Sequence, residues 1–288
     1  EGIGWSSPYT LSSSAINAWL GEEFRPWGAE VTGVRRHNDA EFRLGAALFF
    51  GGDPQGTQLA WRGFALHDRE LGLGDYLELP DLDFIGPGGF EAQSPRNYAL
   101  AELDHEPGFY VNAEWRRGPG RRLQLAYYDN RADPELVDLG KGQYGWRTRY
   151  WSASAALDLT TDTRLLAQAM TGDTAWGPRL ANGARVTDLT FDAAYLLLSQ
   201  SLGRHRLTAR VDWFRTTDRD LLEFLDDNDE RGRAVTGAWI FRPADAHRFT
   251  LELLHIASRR DQRSSLGESP SQHETTAQLG YRWLFTLR

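Results

Sequence analysis

Along most of the chain, apolar and polar residues alternate with a period of two, which is the period of an extended strand and not of a helix. The last strand shows the pattern best, with Ala277, Leu279, Tyr281, Trp283 and Phe285 on one side and Thr276, Gln278, Gly280, Arg282 and Leu284 on the other. Such a strand fits a soluble sandwich, in which the apolar row is buried. It equally fits a membrane barrel, in which the row meets lipid.

Four pairs of similar strands precede the last one, and the third pair is the clearest. Its first strand carries Leu189, Phe191, Ala193, Tyr195 and Leu197, and its second strand carries Leu207, Ala209, Val211 and Trp213. We interpret the two rows together as one apolar face. The reverse face of the second strand contains full charges, which a buried sheet face would exclude unless they were paired.

The connections between these strands alternate in length. Short turns lie near Gly118, Thr161, Gly203 and Pro243, and long polar connections lie at 130–144, 173–186, 217–231 and 258–272. Transmembrane barrels combine short periplasmic turns with longer extracellular loops, and their tilted strands need about ten residues. A β-propeller with a period of about 40 residues would need four short strands in each blade, whereas each period here holds two. The pattern therefore favours the membrane barrel.

The N-terminal third is less regular. We predict strands over 30–35, 41–50 and 57–66, a further strand over 71–79, and a long loop over 80–107 that is rich in Gly, Pro and acidic residues. Before them, Ile16, Trp19 and Leu20 follow Ser14 at helical spacing, so a short helix with a serine cap is expected there, although a strand also fits.

Together these elements predict an all-β protein, an antiparallel up-and-down transmembrane β-barrel that forms one domain over 1–288. About 13 strands are visible, and single-chain bacterial barrels have even strand numbers. If the long loops are outside, the last strand ends in the periplasm and the first visible strand starts outside. We therefore expect one or more strands to precede the first, with roughly 16 in total and 14 or 18 as alternatives.

Composition agrees with this interpretation. The chain is 41% hydrophobic and 12% aromatic, its mean hydropathy is -0.52, and it has no cysteine and a net charge of -8. No apolar run approaches the roughly 20 residues of a membrane helix. Strands of a barrel average to a hydrophilic value because only alternate residues meet lipid. The missing cysteines exclude disulfides and thiolate metal sites, and the negative charge argues against nucleic acid as a partner.

Several stretches resemble a known family. The run from Trp5 to Glu23, the strand from Leu44 to Phe50 and the segment from Ala60 to Gly63 are similar to Gram-negative outer-membrane porin-like proteins, which are distantly similar to phosphate-selective porins. The resemblance implies a loop that folds into the pore and carries constriction residues, and here residues 1–26, with their short helix, would be that loop. The Lys and Arg ladder of phosphate channels is not present as a motif.

Charged residues on the polar phase of the predicted strands are the candidate lining of a lumen. They are Arg43, Arg62, Glu114, Arg116, Arg122, Arg206, Arg210, Asp212, Arg248, Glu252 and Arg282. A charge in a water-filled pore avoids lipid and attracts counter-ions. The alternative is that the arginines pair with Glu114, Asp212 and Glu252 into a belt that stiffens the wall. The two interpretations carry equal weight and can hold for different residues.

Signals for other chemistry are weak. The acidic residues between Asp218 and Glu230 suit a solvated loop better than a site for divalent ions that bridge lipopolysaccharide, and they lack the glycine and terminal glutamate of an EF-hand. No catalytic or nucleotide-binding motif is present. His255 near Ser258 is the one suggestive pair, and an interfacial histidine is the simpler interpretation. We predict no metal, no cofactor and no enzymatic activity.

The sequence therefore predicts a porin-like channel of the bacterial outer membrane for passive diffusion of small hydrophilic solutes, with a lean to anions. The alternative is a barrel with a binding or hydrolytic role that uses its long extracellular loops, and a soluble all-β protein is the third option. Outer-membrane lipid, lipopolysaccharide and small solutes or ions are the expected partners, nucleic acid is not, and a homotrimer is the candidate assembly.

Overall fold

Within the residues that the computed structural model describes (7–67, 69–72, 74–86, 89–179, 181, 183, 185–220 and 227–285), the main element is an antiparallel sheet of eleven strands. The strands are β1 (Trp27–His37), β2 (Ala40–Phe50), β3 (Gly108–Arg117), β4 (Arg121–Asp129), β5 (Arg147–Asp158), β6 (Thr163–Arg179), β7 (Arg185–Leu202), β8 (His205–Asp218), β9 (Glu230–Ala244), β10 (His247–Arg260) and β11 (Ser271–Trp283). Two helices, α1 (Ala15–Glu23) and α2 (Thr57–Arg62), complete the main elements.

Each strand of the sheet pairs with its neighbours in sequence, which is the up-and-down order. Short turns follow β1, β3, β5, β7 and β9 at one end, and longer connections follow β2, β4, β8 and β10 at the other. The predicted long connection over 173–186 is wrong, because Asp173 pairs with Thr190 and Arg179 with Arg185, so β6 and β7 continue through most of it. The longest connection joins β2 to β3 and contains α2 and the two-residue hairpin of Leu77–Glu78 with Arg96–Asn97. A second small hairpin, Val137–Asp138 with Gln143–Tyr144, lies between β4 and β5.

Two predicted strands are wrong. Residues 57–66 contain the helix α2, and among the described residues of 71–79 only Leu77–Glu78 form a strand. Leu59 and Trp61 suggest the alternation of a strand, but Leu59, Ala60 and Trp61 are consecutive and all fully buried, so burial does not alternate here as it does along a strand. Gly56 precedes α2 with φ of 103°, and a Cβ there would lie 2.3 Å from Thr174 Oγ1. The helix therefore begins where only glycine fits.

The main sheet has eleven strands among the described residues, whereas about 13 were expected. Both numbers are odd, unlike those of complete single-chain bacterial barrels. β1 runs from the long-connection end toward the short turns, and β11 runs in the same direction. Within the part of the chain that the structure describes, β1 pairs only with β2 and β11 only with β10. That further strands precede β1 stays a prediction.

The outer face of the sheet is a continuous apolar surface. Leu279 is 81% exposed, Trp283 is 60% exposed, and the same row continues across Leu253, Val235 and Val211 on the neighbouring strands. Rings gather at the short-turn end, where Phe249 packs against Tyr281 and Trp239 against Phe241. Large exposed apolar surfaces of this kind face lipid or a partner, and aromatic residues favour the membrane interface.

The inner face of the sheet is covered by other parts of the same chain. The predicted orientation of the apolar row of β7 is wrong. Leu197 of β7 pairs with Arg210 of β8, and Tyr195 pairs with Asp212, so the apolar row of β7 shares the inner face with these charges. Phe191 and Leu197 are fully buried. The row turns inward because α1 provides an apolar partner: the Trp19 ring meets the Phe191 ring at 5.0 Å.

No helix in the described part of the chain is both long and apolar enough to cross a membrane.

Leu253→Arg tests the outer face. Leu253 lies between the rings of the short-turn end and Trp213 on the outer row, so we expect the substitution to lower the free energy of unfolding in phospholipid vesicles by about 2–4 kcal/mol, as a charge near the bilayer midplane does. Leu202→Arg, beside the turn after β7, is the matched control and should lose no more than about 1 kcal/mol. Equal losses measured by urea titration would show that this face does not meet lipid.

Candidate channel interior

Residues 7–24, called the inward segment below, lie against the inner face of the sheet. The segment ends in α1, whose N-terminus is capped by Ser14: the Ser14 Oγ accepts a hydrogen bond from the backbone N–H of Asn17 at 3.3 Å. Ile16 and Trp19 are almost completely buried on the wall side. The expected short helix at this position is therefore present, and it packs inside the barrel wall.

Arg210 of β8 fastens the inward segment to the wall. Its guanidinium is fully buried and donates to the backbone carbonyls of Ser12 and Ser13, each at 2.8 Å. It also donates to Asp212 at 2.8 Å and to Thr236 at 3.1 Å. Asp212 in turn accepts from the N–H of Ala15, the first residue of α1. Both members of the buried Arg210–Asp212 pair therefore bind backbone groups of the inward segment.

Two further wall residues hold the same segment. Glu252 is fully buried and accepts the N–H of Leu11 at 2.5 Å and that of Ser12 at 2.9 Å. Arg248 donates to the carbonyl of Ser7 at 2.8 Å. Residues 7–13 are not in regular secondary structure, so their backbone groups need partners from elsewhere. Charged side chains of β8 and β10 supply those partners.

The second inward segment, residues 53–67, contains α2 and is tied to α1. Arg62 at the end of α2 makes a two-pronged ion pair with Glu22, and the Arg62 Nη1 to Glu22 Oε1 distance is 2.6 Å. His67 lies 3.3 Å from the same carboxylate. Burial acts to raise the pKa of Glu22, but hydrogen bonds from His67 and Arg62 outweigh it and lower that pKa to about 2.

Glu23 lies at the centre of this junction and is fully buried. Its carboxylate accepts from Trp19 Nε1 at 2.5 Å, from the N–H of Gly56 at 3.1 Å and from that of Gln58 at 3.0 Å. A carboxylate at the first turn of α2 is in the favourable place for the helix dipole. Burial nevertheless raises the pKa of Glu23 to about 7, against 4.5 for an ordinary glutamate.

The wall fastens the end of α2 as well. Arg260 of β10 is buried and donates to the carbonyl of Ala60, and Glu230 of β9 accepts the N–H of Phe64 at 2.8 Å. Gly63, between them, has φ of 83°, and a Cβ there would lie 2.2 Å from Glu230 Oε2. Both ends of α2 therefore depend on glycine and on polar contacts with the inner wall.

A different arrangement is found on β2, β3 and β4, where the wall charges stay in contact with water. Glu114 is almost buried, and three arginines converge on it: Arg43 at 3.8 Å, together with Arg116 and Arg122. Side chains of the three arginines are 35%, 39% and 48% exposed, respectively. Arg43 also pairs with Glu41 at 2.6 Å. Positive charge thus exceeds negative charge on this part of the inner face.

A polar cavity of about 500 Å³ lies between the second inward segment and the wall of β10 and β11. Its lining includes Ser12, His67, Ser258, Arg263, Glu274 and Gln278. Phe214, Leu254 and Ile256 form its apolar floor. The cavity shows that the two inward segments do not fill the inside of the sheet completely.

The predicted lining residues are thus distributed over three environments. Arg210, Asp212, Arg248 and Glu252 hold the inward segment, Arg43, Glu114, Arg116 and Arg122 form the half-exposed group, and Arg206 and Arg282 lie on the inner face near the short turns. The prediction that Arg62 lies on the polar side of a strand is wrong, because Arg62 lies on α2. The cause is the buried, non-alternating character of residues 57–62 described above.

Sequence reasoning missed the contacts that Glu22, Glu23, Glu230 and Arg260 make. Two adjacent glutamates at the C-terminal end of a helix are unfavourable for the helix dipole, and this was the available signal that they have partners elsewhere. No pattern signals that a side chain binds the backbone carbonyls of a distant segment, as Arg210 and Arg260 do.

The other candidate residues do not form a catalytic or metal site among the described residues. His255 points outward and shares a hydrogen bond with Thr275 at 2.8 Å, whereas Ser258 lies on the inner face and accepts from Arg263, so the two do not meet. Of the acidic loop, residues 221–226 lie outside the described residues. Asp53, Glu102 and Asp104 bring carboxylate oxygens within 4.8 Å of one another. Each of the three already accepts backbone N–H groups.

The sheet is similar to solved outer-membrane proteins. In-vitro folded OmpT of Vibrio cholerae, an outer membrane protein, shares 10% identity over 96% of this chain and 70% of that one, with a TM-score of 0.50. The chain is also similar to a loop L8 deletion mutant of OmpT (11% identity, 88% and 62% coverage, TM-score 0.44) and to an anion-selective porin from Comamonas acidovorans (10% identity, 93% and 65% coverage, TM-score 0.49). No family model and no curated protein sequence matches the chain.

The sheet order, the apolar outer face and the OmpT likeness together define an outer-membrane β-barrel fold, so the predicted fold class is confirmed. This fold belongs to the bacterial outer membrane, as predicted. The chain spans 62% to 70% of the length of the three structures. The likeness concerns the fold, and membership of the porin-like family stays a prediction.

Arg210→Met tests how the inward segment is held. The substitution leaves Asp212 and the carbonyls of Ser12 and Ser13 without their buried donor, and breaking a buried pair in this way costs about 3–5 kcal/mol. We expect that loss in the free energy of unfolding, with faster hydrogen exchange at the amides of Leu11 and Ala15. Arg215→Met, which breaks an exposed pair with Asp192, is the control and should lose less than about 1 kcal/mol. Similar losses in the two variants would refute the assignment.

Glu23 predicts a pH dependence. Its pKa is about 7 in the folded protein and 4.5 in the unfolded chain, so the folded state binds more protons between these values and stability falls as pH rises through that window. From pH 5 to pH 8 the Glu23 contribution to the free energy of unfolding should fall by about 2.5 kcal/mol. Glu23→Gln removes this contribution, whereas Asp53, whose pKa burial also raises to about 7, contributes equally to both proteins. Identical pH profiles for the two proteins would contradict the assignment.

Proposed function

We propose that this chain forms an outer-membrane channel through which small hydrophilic solutes diffuse passively, with a preference for anions. The observation that carries the proposal is the contrast between an apolar outer face and an inner face that keeps a polar cavity of about 500 Å³ beside partly exposed charges. A plugged barrel without transport would need no such hydrated space.

The charge balance of the exposed inner wall supports the preference for anions. Three guanidinium groups surround the one carboxylate of Glu114, and Glu41 supplies one further negative charge beside Arg43. In a narrow water-filled passage with low-dielectric walls, a local excess of positive charge raises the concentration of anions and lowers that of cations. The net charge of -8 for the whole chain does not oppose this, because selectivity depends on the charges that face the passage.

The inward segment supports passive, size-limited diffusion. It lies inside the wall, is fastened at Arg210, Arg248 and Glu252, and narrows the space that remains for a solute. We propose that residues 7–24 form the constriction, as the loop of the porin-like proteins would. Homotrimer assembly and contacts with lipopolysaccharide stay predictions of the sequence.

Planar bilayers test the proposal. The full-length chain, checked for folding by heat-modifiable gel mobility, should give discrete conductance steps, and a KCl gradient should give a reversal potential with the sign of an anion-preferring channel. Arg122→Glu reverses one exposed wall charge and should shift the anion-to-cation permeability ratio toward cations by roughly twofold or more.

Arg233→Glu is the matched control, because Arg233 lies on the outer row of β9 and is exposed. It makes the same change of charge away from the inner wall and should leave the permeability ratio unchanged. Folded protein that inserts without conductance steps would refute the channel. Equal shifts in the two variants would refute the role of the inner wall.

A further inference from the structure

A cluster of four arginines lies at the short-turn end of the sheet, away from the Glu114 group. Arg206 is on β8, Arg242 on β9, Arg248 on β10 and Arg282 on β11. Arg248 and Arg282 are directly opposite each other in the ladder between β10 and β11. Arg206 is opposite Ile240 of β9, and Ile240 is opposite Thr250 of β10. Arg242 and Arg248 each lie two residues from that line, so the four arginines occupy neighbouring positions on adjacent strands.

This arginine cluster lacks the counter-charges that the other wall arginines have. Arg164 pairs with Asp158 at 3.0 Å, and Arg210 pairs with Asp212 at 2.8 Å. Within the described residues, none of the four forms an ion pair with a carboxylate, and the acids of the adjacent turns, Asp162 and Asp245, are both exposed. Like charges directly opposite in a sheet destabilise it unless something offsets them.

Arg248 shows in addition an unused donor. Its side chain is almost buried, with the residue 7% exposed, and its Nη1 donates to the carbonyl of Ser7. Its Nε has no hydrogen-bond partner within the described residues. Buried guanidinium donors are normally satisfied, so an orphaned one points toward a missing acceptor. The Tyr9 ring lies 5.4 Å from the Arg206 guanidinium and covers the cluster from the side of the inward segment.

We propose that Arg206, Arg242, Arg248 and Arg282 bind an oxyanion of the phosphate type at the short-turn mouth, between the wall and residues 7–9. A phosphate group presents several acceptor oxygens, and planar guanidinium forks match them in geometry as well as charge. The ligand is either a free phosphate-bearing solute or a phospholipid headgroup. Binding at the short-turn mouth does not require passage through the channel, and only a role of the cluster in solute transport rests on the proposed function.

Direct binding tests the site without requiring conductance. The full chain, folded in a detergent free of phosphate groups, is titrated calorimetrically with inorganic phosphate at constant ionic strength. A second titration uses a soluble short-chain phosphatidylglycerol. We expect one saturable site, and we expect Arg282→Gln to weaken it about tenfold, as loss of one charge-assisted hydrogen bond does.

The Arg282 side chain forms no hydrogen bond or ion pair within the described residues, so its substitution should not disturb the fold. Arg248→Gln is the second variant and should weaken binding at least as much. Arg233→Gln, with the same change of charge on the outer row at the other end of β9, should bind like the original protein.

The outcomes separate the site from the channel. Saturable phosphate binding that the two cluster variants weaken supports a free anion, and binding of the lipid alone supports a headgroup. Absence of both, or equal weakening by Arg233→Gln, overturns the site. A protein that binds phosphate but never conducts keeps the site and refutes the channel, whereas a channel whose cluster variants bind phosphate normally refutes the site alone.

Discussion

The inside of this barrel wall depends on the buried guanidinium of Arg210. It binds two consecutive backbone carbonyls of the inward segment while its charge is balanced by Asp212, which itself binds the first N–H of α1. A segment without regular secondary structure can be buried only if its backbone groups find partners. By supplying them from β8, the wall holds α1 against β7, and that contact gives the apolar inner row of β7 something to pack on.

Polar contacts of the same kind hold α2 against α1. Glu22 and Glu23 lie at the end of one helix, where Glu22 pairs with Arg62 and Glu23 accepts the N–H groups of Gly56 and Gln58 at the start of the next helix. Arg260 and Glu230 of the wall bind the backbone of Ala60 and Phe64 and so hold the end of α2. Apolar packing around Trp19 and Trp61 supplies the bulk of the buried surface. The polar contacts decide where the helices lie, because a buried charge tolerates few positions.

Solvent exposure on the inner face of the sheet is uneven because the inward segments cover only part of it. The inward segments lie mainly on β6 to β10, whereas the charges of β2 to β4 and the cavity beside β11 keep contact with water. Arginines that look alike along the strands therefore have different roles. Arg210 holds the inward segment, Arg122 is half-exposed on the inner face beside Glu114, and Arg248 both holds Ser7 and belongs to the arginine cluster at the short-turn end.

By itself the sequence determined the strands from Gly108 onward, the short turns, the long connections after β4, β8 and β10, and the apolar outer rows of β3 to β6 and β8 to β11, because a period of two is a local property of the backbone. It also placed Arg206, Arg210 and Asp212 on the inner face. Tertiary structure decided that residues 57–62 are helical, that the apolar row of β7 turns inward, and that Arg210 is buried instead of lining water. An apolar row is compatible with lipid on one side or a packed helix on the other. Only the position of α1, set by side-chain contacts with residues some 200 positions away, distinguishes the two.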